Sequence, residues 1–140
     1  MKVAIVDSDA LIALLNKDDS LADKAIKTLE SLHMQGVRLL YPATTLVETT
    51  TALQRKLSNP SLASEVIRMI KESQFTVVPV DQEILELAEL LFRPQGSKQN
   101  TLFDAVVAAI AKKLNADAIF GFDAWYEKVG FTLASSLTEQ

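Results

Sequence analysis

Four acidic residues draw attention by where they fall: Asp7, Glu48, Asp104 and Asp123. Each lies where an apolar run meets the next segment, in "VAIVDSD", "YPATTLVE", "TLFDAVVAA" and "AIFGFD". Carboxylates gathered within a few ångströms repel one another and raise each other's pKa. Helix N-termini relieve part of that repulsion, and a divalent cation relieves much more. Ligation by oxygen alone suits a hard ion, Mg²⁺ or Mn²⁺. The chain has one histidine, His33, and no cysteine, which argues against a zinc hydrolase. His33 falls in an amphipathic segment and reads as a surface or partly buried residue, not a ligand. A hard cation on acids is an arrangement that phosphodiester cleavage uses, because it acidifies a water and steadies the charge on the leaving oxygen.

For that chemistry the acids must meet, and the surrounding elements decide whether they do. Val3 to Val6 reads as a short buried strand and Ala10 to Leu15 as a helix. Ser20 to Met34 is amphipathic, with Leu21, Ala25, Thr28, Leu29 and Leu32 at helical spacing, and Gly36 ends it. Val37 to Tyr41 is a second strand, stopped by Pro42. Thr45 to Leu57 is a helix with Leu46, Thr50, Leu53 and Leu57 on one stripe. Asn59-Pro60 is a turn, followed by a helix from Leu62 to Lys71. Phe75 to Val80, interrupted by Pro79, reads as an edge strand. A helix from Ile84 to Phe92 leads into a polar loop, Arg93 to Asn100. Thr101 to Leu114 is a helix apolar on nearly all sides, hence deeply buried. Ala118 to Phe122 is a strand, Ala124 to Lys128 a short helix, and Phe131 to Leu133 a candidate last strand.

Strands alternating with helices predict a parallel sheet with helices on both faces, an α/β/α sandwich of four or five strands. In such a sheet ligands bind outside the carboxyl ends of the strands. Asp7 and Asp123 end strands there. Twelve helical residues after Asp104 descend about 18 Å, and five strand residues climb back about 16 Å, so Asp104 starts where Asp123 finishes. Glu48 lies early in the helix that leaves the second strand, at the same edge. Each acid also has an ordinary reading. Asp7, Ser8 or Asp123 would cap the helix next to it. "TLVE" and "TLFD" both match the capping-box spacing. Glu48 lies opposite the leucine stripe, as a solvated residue would. Asp9 reads as a neighbour of the site or as plain surface. The signal is the ordered set, not any one member.

The 140 residues suffice for one domain with a sizeable core. Composition is 49% hydrophobic and 23% charged, ordinary for a globular protein. No apolar run approaches a membrane span, and the opening residues lack the pattern of a signal peptide, so a cytoplasmic protein is expected. A net charge of −4 does not advertise nucleic-acid binding, though a local basic patch would still permit it.

"VAIVDSDALIALLN", "YPATTLVETTTAL", "TLFDAVVAAIAKKLNADAIFGFD" and "FDAWYEKVGF" resemble, in order and over essentially the whole chain, the PIN-domain family, and within it the VapC-type ribonucleases of bacterial toxin–antitoxin pairs. The resemblance implies an α/β/α sandwich and Mg²⁺- or Mn²⁺-dependent endoribonuclease activity. It places the family's acidic quartet, both catalytic and metal-holding, on Asp7, Glu48, Asp104 and Asp123. Ser8 takes the place of a supporting hydroxyl, while Asp9 falls at a position that varies and carries no role over. Phe103 is bulkier than many relatives carry and would narrow access. The resemblance also implies a homodimer and a VapB-like antitoxin that covers the acidic site. Lys17, Arg93 and Lys98 are candidates for the RNA backbone. Trp125 and Tyr126 would stack a base, although core or interface packing is the safer reading.

Two other classes begin with a strand ending in acids. A receiver-type phosphoacceptor switch needs an Asp at the end of its third strand and a later Lys, which "VVPVDQE" does not supply. A haloacid-dehalogenase-type phosphatase expects Gly-Thr or similar after its acids, where this chain has "ALIALL". A catalytically silent PIN-fold binding module is the remaining alternative, and the intact quartet speaks against it.

Overall fold

A computed structural model describes residues 1–93, 95 and 99–137. Four strands, β1 (Val3–Val6), β2 (Arg38–Pro42), β3 (Val77–Val78) and β4 (Ala118–Phe120), form one parallel sheet in the order β3-β2-β1-β4. The helices are α1 (Ser8–Leu15), α2 (Ala22–Met34), α3 (Ala43–Thr51), α4 (Pro60–Lys71), α5 (Gln82–Leu91), α6 (Leu102–Lys113) and α7 (Trp125–Lys128). Strand side chains alternate between faces. Ala4, Val6, Ala118 and Phe120 join Leu11, Leu32, Leu46 and Val66 in one core. Ile5, Leu40 and Ile119 join Ile84, Ala88 and the apolar length of α6 in the other. The expected three-layer α/β/α sandwich is the observed one.

Helix α6 is buried from Ala105 to Ala111. Alanine has the highest helix propensity and its small side chain permits close approach, so α6 fits between the sheet and α5. Strand β3 has two residues and lies at the sheet edge, as Pro79 in its segment requires.

Three expectations change. Phe131–Leu133 makes a single parallel bridge, Leu133 to Ile119, and not a fifth strand. Strand β4 stops at Phe120 instead of Phe122, because the Phe122 N–H donates to the Asp9 carboxylate and leaves the ladder. The helix expected over Thr45–Leu57 is α3 continued by a π-helical turn, Ala52–Lys56, in which the Leu57 N–H donates to the Ala52 carbonyl at 3.0 Å. The wider turn rotates the residues beyond it relative to the first stripe. Leu53 is therefore fully buried while Leu57, assigned to the same stripe, is exposed. No helix among the described residues is long and apolar enough to cross a membrane.

Candidate active site

Asp7 occupies the first position beyond β1 and is only 3% exposed. It is the N-cap of α1: its Oδ1 accepts the Ser8 N–H at 2.7 Å. Its Oδ2 accepts the hydroxyl of the fully buried Tyr126 at 2.7 Å. The capping and functional readings of Asp7 therefore coexist in one side chain. Burial pushes the Asp7 carboxyl well above its ordinary range, and the charges of Asp9 and Asp104 push the same way. The Tyr126 hydroxyl and the Ser8 amide oppose them.

Asp9 belongs to the same edge. Its Oδ2 accepts the Phe122 N–H at 2.9 Å, while its Oδ1 is buried with no hydrogen-bond partner. Burial raises its pKa, and the charges of Asp104 and Asp123 add to the rise. Gly121 makes this approach possible: a Cβ there would lie 3.0 Å from the Asp7 Cβ and 3.2 Å from Asp9 Oδ1.

Glu48 is not in a capping box. Pro42 is the N-cap of α3, so Thr45 falls inside the helix and its Oγ1 donates to the Val6 carbonyl at 2.9 Å. That bond fixes the start of α3 to the end of β1. Glu48 comes one turn later, near the Ser8 side chain, which favours its charged form. Burial raises its pKa, Asp104 and Asp9 contribute, and the Lys56 charge works against them. Ser8 stands beside Glu48, where the resemblance would place a supporting hydroxyl.

Asp104 keeps its cap. Thr101 and Asp104 form a reciprocal capping box, with the Thr101 N–H donating to Asp104 Oδ2 at 2.9 Å. Burial raises the Asp104 pKa and the Asp123 charge assists, while Thr101 and Asn100 favour the charged form. Asp123 accepts Asn100 Nδ2 at 2.9 Å and the Trp125 N–H at 2.9 Å. Asn100, unmarked in the sequence except as the last residue of a polar loop, thus holds Asp123 and favours the charged form of Asp104.

The structure brings Asp7, Glu48, Asp104 and Asp123 to one edge and adds Asp9. Among the described residues no group of three or more His, Asp or Glu side chains is gathered closely enough to hold a metal ion as it stands. The donor chemistry still suits a hard cation: every candidate ligand is oxygen, burial opposes their charges, and a buried Asp9 oxygen has no partner. Of the cations, Arg93 lines a recess with Asn100, Thr101 and Trp125 on the Asp123 side. Lys17 lies past the far end of α1, whose eight residues carry it about 12 Å from the acidic edge. Lys98 lies outside the described residues. Tyr126 is core and does not face solvent; its hydroxyl is spent on Asp7.

Several solved structures share this fold. VapC20 of Mycobacterium tuberculosis, described as a toxin that cleaves the sarcin–ricin loop, is 21% identical, with a TM-score of 0.77 over 94% of this chain and 97% of that one. VapBC2 of Rickettsia felis, bound to a promoter DNA fragment, matches at 15% identity and a TM-score of 0.67 over 94% of this chain and 96% of that one. FitAcB of Neisseria gonorrhoeae matches at 16% identity and a TM-score of 0.66 over 96% of this chain and 99% of that one. Comparison by sequence with curated proteins returns no match. The PIN domain family model matches residues 4–132, nearly the whole chain and every acid of the site, and this chain belongs to the PIN domain family.

Proposed function

We propose that the protein is a metal-dependent endoribonuclease that hydrolyses RNA phosphodiester bonds, and that it is the toxin of a toxin–antitoxin pair. The observation that carries the reading is the convergence of Asp7, Glu48, Asp104 and Asp123, with Asp9 beside them, on one edge of a PIN fold. The quartet would hold Mg²⁺ or Mn²⁺. When bound, that ion acidifies water and stabilises charge on the leaving oxygen. The chain's own groups prepare the site. Tyr126 and the Ser8 amide fix both oxygens of Asp7, the Ser8 side chain favours the charged form of Glu48, and Asn100 aligns Asp123. Burial opposes the charge on Asp7, Asp9, Glu48 and Asp104, and a bound cation would compensate those charges.

The toxin assignment, a VapB-like antitoxin and a homodimer rest on the PIN family and on neighbours of VapBC and FitAB type. The test is incubation of the purified chain with structured and unstructured RNAs in Mn²⁺, in Mg²⁺ and in chelator, beside an Asp104→Asn variant. Cleavage that needs metal and disappears in the variant is the expected result. Cleavage that persists in the variant, or none with any RNA, contradicts the reading.

A further inference from the structure

Beside the acids runs a groove of about 300 Å³ whose walls include Val47, Glu48, Thr51, Arg55, Lys56 and Phe103. Its members are neighbours of the site in sequence and space: Val47 precedes Glu48, and Phe103 precedes Asp104. Both apolar side chains face solvent, Val47 at 63% and Phe103 at 41% exposure. Arg55 and Lys56 lie on the π-helical turn, are exposed, and form no ion pair among the described residues. The Lys56 ammonium stands near enough to Glu48 to favour its charged form. π-turns are rare and concentrate at functional sites, and this one presents two adjacent cations at the groove.

We propose that this groove binds one unstacked nucleotide of single-stranded RNA next to the cleaved phosphate, with the base on Phe103 and Val47 and a backbone phosphate on Arg55 and Lys56. The inference rests on the nuclease reading and deepens it. An edge lined by carboxylates repels a polyanion, so RNA needs unpaired cations close by, and here they adjoin an exposed ring. Aromatic rings bind bases without sequence readout, and a base is available for stacking only when it is outside a duplex. The charge pairing favours a nucleic acid over an apolar protein segment. Phe103, expected to narrow the entrance, becomes a platform.

The test compares the intact wild-type chain with Phe103→Ala and with a double variant, Arg55→Gln and Lys56→Gln. All three positions are exposed, so the fold should survive, and melting curves verify it. A fluorescein-labelled single-stranded RNA is titrated by anisotropy in Ca²⁺ at several salt concentrations, with RNA integrity checked on gels. Each variant is expected to bind about tenfold more weakly. The double variant is expected to lose about 0.7 from the salt slope, as the loss of one neutralised phosphate requires. Mn²⁺ affinity of Phe103→Ala should not move, and KM for cleavage should rise in both variants. RNA affinity and salt slope equal to wild type in both variants would overturn the proposal, as would equal affinity of the wild type for duplex RNA. A change in oligomeric mass without a change in RNA affinity would also overturn it, in favour of an interface between copies. If the wild type binds RNA through these residues yet cleaves none in Mn²⁺, the groove stands and the nuclease reading fails.

Discussion

Helices α3 and α6 each deliver an acid to the same sheet edge from almost the same tetrapeptide, Thr-Leu-Val-Glu at Thr45–Glu48 and Thr-Leu-Phe-Asp at Thr101–Asp104. In α6 the threonine is the N-cap, and the acid folds back onto the Thr101 amide. In α3 the helix has already begun after Pro42, so the threonine reaches the Val6 carbonyl and the acid reaches Ser8. Asp104 is therefore oriented by its own helix start. Glu48 instead depends on a different element, α1, whose Ser8 favours its charged form. The same local pattern serves local capping in one case and long-range assembly in the other.

The largest expected effect separates the two acids by function. Asp104→Asn should lower cleavage about a thousandfold, about 4 kcal/mol of barrier, since it removes a carboxylate from the acidic edge where the proposed cation would sit. Glu48→Gln should cost about a hundredfold, because Glu48 stands toward the groove. Steady-state cleavage rates check both, and equal losses would collapse the distinction.

Stability should separate the two threonines in the opposite order. Thr45 is 2% exposed, so Thr45→Val strands the buried Val6 carbonyl and should destabilise by about 2 kcal/mol. Thr101→Val loses a cap at an exposed helix start and should cost about 1 kcal/mol. Urea unfolding of the two variants decides it; a costlier Thr101 change would mean that the Thr45 bond holds nothing together.

A smaller effect tests the tether of Glu48. Ser8→Ala should weaken Mn²⁺ binding about tenfold through misorientation of Glu48, which calorimetry detects. The capping box of Asp104 should be untouched. An unchanged affinity would show that Glu48 orients itself.

The smallest effect is common to both helices and concerns pH. Asp7, Asp9, Glu48 and Asp104 are all raised by burial, so the folded chain holds protons that the unfolded chain has released. Between the ordinary carboxyl value near pH 4 and the raised folded values, stability therefore falls as pH rises. Metal-free protein should melt a few degrees higher at pH 5 than at pH 7, and Asp104→Asn should reduce that difference. A melting temperature that rises with pH over this range would contradict the sign.

Much of this was legible in the chain. The β1 and β4 runs, the buried α6 and the four acids at the ends of elements follow from apolar periodicity and the geometry of a parallel sheet. The illegible part acts across distance. The Tyr126 hydroxyl finds Asp7 over 119 residues, and the Phe122 amide finds Asp9 over 113. A tyrosine in an apolar run looks like core, and Tyr126 is core, but its hydroxyl needs a partner that no local pattern names. The π-turn was hidden for a related reason. "ALQRK" has ordinary helical composition, and nothing local in it marks the wider turn.

The central claim is that the acidic edge is a site for a hard cation. Calorimetric titration of Mn²⁺ into the metal-free wild type and into Asp104→Asn at pH 7 tests it directly. The account predicts saturable binding by the wild type and a loss of affinity of at least about tenfold in the variant. Absence of binding to the wild type, or equal binding by both proteins, would contradict it.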